Sequence, residues 1–147
     1  DTAAGYELLS LKLRQGTGLA KMREIISGQG GLAAVVDHPE LLPRATRQVA
    51  VKSSSGGFVQ AIRANELGWA CILLGAGRLK KDDQVDPAVG IILTRKLGDR
   101  VESGDTLAIL HVNREDNLME AQERLAGSFL IGPAPPEIPP LIYEIIS

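Results

Sequence analysis

The sequence predicts an α+β fold, a helical hairpin followed by a β-rich body. Three observations carry this. Apolar residues recur at helical spacing over the first thirty residues, then alternate or form short apolar blocks between glycines. Helices and strands intermix beyond residue 46, and few segments form regular βαβ units.

The first helix rests on Tyr6, Leu9 and Leu13, which fall at i, i+3 and i+7 on one face. Gly16 is its stop and Thr17 the N-cap of a second helix, which places Leu19, Met22 and Ile26 on one face. That helix ends at Gly28-Gln29-Gly30-Gly31, Leu32–Val36 adds a short helical turn, and Pro39 and Pro43 bracket a loop. Thr46–Lys52 alternates as a strand with Val49 and Val51 facing one way. Ser53–Gly57 is a turn and Phe58–Arg63 a second strand, so the two read as a hairpin. Asn65 is the expected N-cap of a helix carrying Leu67, Ala70, Cys71 and Leu74 on one face and ending at Gly75.

Val89–Leu93 suits a central strand, and Gly98-Asp99 and Gly104-Asp105 mark turns around the short segment Arg100–Glu102. Thr106–Val112 is apolar on both faces and is expected to be covered on both. A last helix is expected over Arg114–Ala126, with Leu118, Ala121 and Leu125 in register and Glu120 and Arg124 as an i, i+4 pair. Pro133, Pro135, Pro136, Pro139 and Pro140 force an extended tail, and Leu141–Ile146 reads as a closing strand.

The 147 residues suit one domain, or one domain and a flanking piece. Such a chain can bury roughly two-thirds of its unfolded surface. A formal net charge of −2 lacks the basic excess of a nucleic-acid binder. No apolar run approaches the ~20 residues that cross a bilayer. Neither nucleic acid nor membrane is therefore expected as a partner. The opening Asp1-Thr2-Ala3-Ala4 has no signal-peptide character and no initiator Met, so the expectation is a segment cut from a longer protein. Cys71 is the only cysteine, which excludes an internal disulfide and a cysteine-based zinc site and makes the cytoplasm the expected compartment. Aromatics are few, so Val, Ile, Leu and Ala must build the core.

The local candidate for a binding site is the loop Gly75–Asp83. Gly75 and Gly77 let backbone N–H groups approach an anion, and Arg78, Lys80 and Lys81 add positive charge. The competing reading is a solvated loop after a glycine helix stop. Lys52, Lys80 and Lys81 lack the exposed hairpin tip of a modified carrier lysine. Asp82, Asp83 and Asp86 lack the spacing and distal Glu of an EF-hand. His38 and His111 stand far apart with no carboxylate pattern, so no metal site is expected. Ser53-Ser54-Ser55 is a turn without a nucleophile context, and Cys71 is expected to be a buried, inert thiol.

Ordered blocks along the chain match one family. Ala20–Gly31 resembles the helix and "QGG" stop that precede the C-terminal domain of thymidine and pyrimidine nucleoside phosphorylases, and Leu42-Pro43-Arg44-Ala45 resembles that domain's opening. Gly57-Phe58-Val59, Leu74–Arg78 and Asp86–Gly90 are similar to its "GFV", "LGAGR" and "D-x-AVG" blocks. Leu97–Val101 with Ser103–Leu107, and the ending Pro140–Tyr143, are similar to its "GDxVxxGDxL" and "PxxY". The Gly-Asp turns also occur in lipoyl- and biotinyl-type domains, so the specificity lies in the ordered set.

The resemblance implies an α/β-hammerhead domain, related to barrel-sandwich hybrids, over 32–147. Residues 1–31 would be a helical segment from the end of the parent's α/β domain. It implies a homodimeric pentosyltransferase that cleaves pyrimidine nucleosides with phosphate, giving free base and (deoxy)ribose 1-phosphate. The family's phosphate loop and base-contacting Arg, Ser and Lys have no counterpart positions here. No catalytic residue, substrate-binding residue, metal ligand or cofactor site is therefore carried over, and phosphate remains a co-substrate of the parent. The chain would act as cleft wall and closing element, with Gly75, Gly77, Arg78, Lys80 and Lys81 as its cleft-facing loop. Its partner would be the rest of the parent chain, which binds nucleoside and phosphate, and alone it is expected to be an inactive monomer. The alternatives are a stand-alone carrier-like or anion-binding module and a purely structural domain.

Overall fold

The computed structural model describes residues 1–146. It forms two compact units, Asp1–Pro43 and a second that starts at Arg44. In the first, α1 spans Thr2–Arg14 and α2 spans Thr17–Gly28. Asp1 caps α1 by accepting the Ala4 N–H at 3.0 Å. Gly16 takes a left-handed conformation that L side chains avoid, and it occupies the N-cap of α2 itself. Thr17 is therefore the first helical residue and not the cap, and its hydroxyl donates to the Lys12 carbonyl. Arg23 on α2 bonds Asp37 through Nε at 2.9 Å and through a second nitrogen. This ties the helix to the 3₁₀ turn Ala33–Val36, and a second such turn covers Pro39–Leu41. Neither α1 nor α2 buries a residue, and Tyr6, Leu9, Leu13, Leu19 and Met22 lie exposed.

The second unit orders its elements as β1 (Arg47–Lys52), β2 (Gly57–Ile62), α3 (Ala64–Leu74), β3 (Gly90–Leu93), β4 (Arg100–Val101), β5 (Thr106–Val112), α4 (Leu118–Ser128) and β6 (Phe129–Gly132). They form two three-stranded antiparallel sheets, β1-β5-β3 and β4-β2-β6. The expected β1–β2 hairpin is not formed, because the two strands belong to different sheets. The reason lies in the connection. Ser53 is buried, its N–H donates to the Asp105 carbonyl and its own carbonyl accepts the Gly104 N–H, both at 2.8 Å. The connecting segment is thus fixed to the distant Gly104-Asp105 turn, and β2 leaves toward the second sheet.

β5 is the central strand of its sheet. Leu107 points to one face and Ala108, Leu110 and Val112 to the other, and all four are buried, as two-sided apolar patterning requires. α3 and α4 pack together, and Ala70, Leu74, Leu118, Ala121 and Leu125 join Val51, Val59, Val101 and Leu110 in one core. Two helix starts differ from expectation. Arg63 holds the N-cap of α3 in extended backbone, and Asn65 lies inside the first turn beside Glu66. α4 begins at Leu118, because Asn113–Asn117 forms the bend that turns the chain out of β5.

The closing strand also differs. α4 runs without a break into β6, which pairs with β2. Leu141–Ile146 forms no strand and is exposed. With β4 on one side of β2 and β6 on the other, that strand has no free edge to offer a later segment.

Candidate functional site

The second unit carries an open groove of about 580 Å³. One wall is the C-terminal end of α3, with Ile72 and Leu73. A second is the loop that follows it, and a third is the bend before α4, with Arg114, Asp116 and Asn117. The loop begins where α3 stops. Gly75 adopts φ +97°, and its N–H and that of Ala76 return to the Ile72 and Cys71 carbonyls at 2.9 Å. Gly77 lies against Ile72, where a Cβ would stand 2.7 Å from a side-chain carbon. Eleven residues past Gly75, the Asp86 N–H donates to the Gly75 carbonyl at 2.9 Å and closes the loop at its base. Closed ends of this kind define an Ω-loop.

Hydrogen bonds inside the loop occupy groups that an anion would use. Asp83 accepts the N–H groups of Leu79 at 2.9 Å and Lys80 at 2.8 Å through one oxygen. The Lys80 and Leu79 amides hold its carboxyl below the usual carboxylate range. Arg78, Lys80 and Lys81 are exposed and stand outside the groove lining, whereas Gly75, Gly77 and Asp83 belong to it. The cation that lines the groove is Arg114. Its Nη2 sits 3.0 Å from where a Cβ on Gly75 would be, so the glycine is what lets the guanidinium lie over the helix end. Sequence reading missed Arg114 because it took residue 114 as the start of the last helix. The available signal was its place at the end of a buried strand, next to the polar run Asn113–Asn117.

Asp86 faces the groove from the loop's closing side. Its Oδ2 accepts from the Asn113 amide at 2.7 Å and its Oδ1 from the Ala88 N–H at 2.9 Å. Asn113 first, then the Ala88 amide, keep its carboxyl below the usual range, with Arg114 adding to the effect. The groove thus offers a guanidinium, two carboxylates engaged by amides, a third carboxylate on Asp116 and an apolar wall. Among the described residues its lining holds no Ser, Thr, Cys or His to serve as nucleophile or imidazole base. It can bind and align polar groups by charge and hydrogen bonding.

The other candidate residues are scattered. Lys52 ends β1 opposite Thr106 at a register shift, and Lys80 and Lys81 lie in the Ω-loop. Asp83 and Asp86 are each bound to their own set of amides, and Asp82 is exposed. His38 meets Glu40 at 2.9 Å in the first unit, and His111 belongs to β5 in the second. The Ser53 hydroxyl donates to the Ser55 carbonyl at 2.7 Å, as a turn residue does. Cys71 is half-buried, and burial pushes its thiol above the ordinary range, away from the reactive thiolate. Among the described residues no helix is long and apolar enough to cross a membrane.

Comparison with known proteins places this arrangement. The profile of the family described as "Pyrimidine nucleoside phosphorylase C-terminal domain" matches residues 58–132, from β2 through β6. The pyrimidine-nucleoside phosphorylase of Staphylococcus haemolyticus (strain JCSC1435) is 43% identical over 141 residues, 96% of this chain and 32% of that protein. The pyrimidine-nucleoside phosphorylase of Staphylococcus aureus (strain USA300) is 41% identical over 140 residues, 95% of this chain and 32% of that protein. The chain spans about a third of the length of these curated relatives. The match runs through both sheets, the Ω-loop, the groove and α4, and the chain therefore belongs to the pyrimidine nucleoside phosphorylase C-terminal domain family.

Proposed function

We propose that this chain is the C-terminal part of a pyrimidine nucleoside phosphorylase, where it forms a wall of the catalytic cleft and takes part in its closure. The carrying observation is that 95–96% of the chain aligns with about a third of proteins bearing that name. In the parent, phosphate displaces the base from C1′ of a pyrimidine nucleoside. The glycosidic bond breaks toward the base, and a (deoxy)ribose 1-phosphate and free pyrimidine result. That chemistry needs an in-line phosphate and stabilisation of charge on the leaving base. The groove here, with one guanidinium and several carboxylates, fits a surface that aligns and excludes water rather than one that holds phosphate. On this reading 1–31 completes the parent's α/β domain and 32–147 is the α/β-hammerhead. The remaining two-thirds of the protein binds nucleoside and phosphate and forms a homodimer in the cytoplasm.

Calorimetric titration of the 147-residue chain with inorganic phosphate and with uridine tests the assignment. Neither should give saturable binding. Saturable binding of either would place substrate recognition in this chain and favour the rival reading of an anion-binding module.

A further inference from the structure

We infer that Asn113 is a positioning residue that sets the Ω-loop against the sheet and so fixes the shape of the groove. Asn113 follows β5 directly, and its side-chain amide faces two neighbours at once. Oδ1 accepts the Thr46 N–H at 2.8 Å, and Nδ2 donates to Asp86 Oδ2 at 2.7 Å. Only this orientation of the amide satisfies both, since Thr46 offers a donor and Asp86 an acceptor. The chain of bonds continues on each side. The Thr46 hydroxyl donates to the Val112 carbonyl at 3.3 Å, which pins the start of β1 to the end of β5. The second Asp86 oxygen accepts the Ala88 N–H at 2.9 Å, and the Asp86 N–H closes the loop on Gly75 at 2.9 Å. One amide thus joins the segment that leads into β1, the end of β5 and the base of the loop. Asp86 and Arg114 line the groove, and Asn113 stands beside Arg114 in sequence and bonded to Asp86.

At neutral pH a carboxamide of this length supplies, without charge, both the acceptor that Thr46 needs and the donor that Asp86 needs. The substitution Asn113→Asp keeps an acceptor for Thr46 but sets a carboxylate against the Asp86 carboxylate. The substitution Asp86→Asn leaves one oxygen for two donors. The two changes together restore every bond with the roles exchanged. The carboxamide, now on the loop, would accept from Ala88 and donate to the carboxylate, now at the end of β5. That carboxylate would accept from both Thr46 and the loop carboxamide. What the groove does rests on the proposed function above; that Asn113 positions it does not.

The test is hydrogen exchange on the full 147-residue chain, read at the amides of Gly75–Asp86, with Leu107–Leu110 as the internal standard. At neutral pH, Asn113→Asp should speed exchange in the loop by about tenfold or more while β5 keeps its protection. Asp86→Asn should speed it less, and the double variant should return to within about twofold of wild type. Asn113→Asp should also regain loop protection on acidification. Paired carboxylates raise one another's pKa until a shared proton recreates the bond. Should Asn113→Asp fail to fold, Asp86→Asn against the double variant carries the same comparison. Loop exchange unchanged in both single variants, or a double variant as fast as Asn113→Asp, overturns the inference. In the longer protein the same variants should change KM and kcat in the order of their loop exchange. Rescued exchange with unaltered kinetics would refute the closure reading and leave the positioning role standing.

Discussion

At the scale of single residues, the groove sorts its charges by what they are bonded to. Asp83 and Asp86 are held by amides, while Arg114 lies over Gly75 and makes no side-chain hydrogen bond among the described residues. A planar guanidinium so placed can pair with a carboxylate or carbonyl brought to it by the rest of the protein. Arg114→Ala in the longer protein should lower kcat/KM by about tenfold or more, which is ~1.4 kcal/mol of transition-state stabilisation. Arg78→Ala, outside the groove lining, should lower it less, and both should leave the melting temperature of the chain nearly unchanged. A lost melting temperature with retained kinetics would make Arg114 a brace within its own unit. Acid supplies a second test. Amides depress the folded pKa of Asp83 and Asp86, so their stabilisation is full above about pH 4, the unfolded carboxylate range. It is lost as pH falls through the depressed folded values. Amide resonances of Leu79, Lys80 and Ala88 should follow these protonations with midpoints below the ordinary range. Midpoints within that range would mean that the loop is open in solution.

At the scale of elements, legibility followed the range of the interactions. α4 was readable because Leu118, Ala121 and Leu125 fall on one face and all are buried, with Glu120 and Arg124 paired at 3.0 Å. β5 was readable because both of its faces are apolar. Pairing was not. β1 and β2 are neighbours in sequence, yet β1 pairs with β5 about sixty residues on, and nothing in a six-residue pattern names its partner. β6 was missed because its four residues, Phe129–Gly132, between the end of α4 and Pro133 are too few to show an alternating pattern. Leu141–Ile146 carries an apolar pattern but stays exposed and joins neither sheet. Of the groove, the glycine loop was legible and Arg114 was not, because its partners come from the end of α3, about forty residues earlier. Leu125 is fully buried between the helices and sheets, and Leu125→Ala should destabilise the second unit by about 2–5 kcal/mol in denaturant unfolding. By contrast α1 and α2 bury no residue. Short helices draw most of their stability from packing, so amides of Leu8–Ile26 should exchange faster in dilute solution than those of Leu107–Leu110. Equal protection would show that the hairpin needs no further partner.

At the scale of the whole molecule, the chain combines a well-packed β-rich unit with a helical unit whose apolar residues Tyr6, Leu9 and Leu13 remain exposed. It belongs to the pyrimidine nucleoside phosphorylase C-terminal domain family and spans about a third of the length of its curated relatives. The groove has walls, charge and a fastened loop, and among the described residues its lining holds no hydroxyl, thiol or imidazole side chain. Phosphorolysis, followed as phosphate-dependent release of uracil or thymine from uridine or thymidine, tests the central claim most directly. It should be measured on the proposed parent protein and on the 147-residue chain alone. Phosphate-dependent release by the longer protein and none by the chain alone is the expected result. Turnover that scales with the concentration of the isolated chain, or no phosphorolysis by the longer protein, would contradict it.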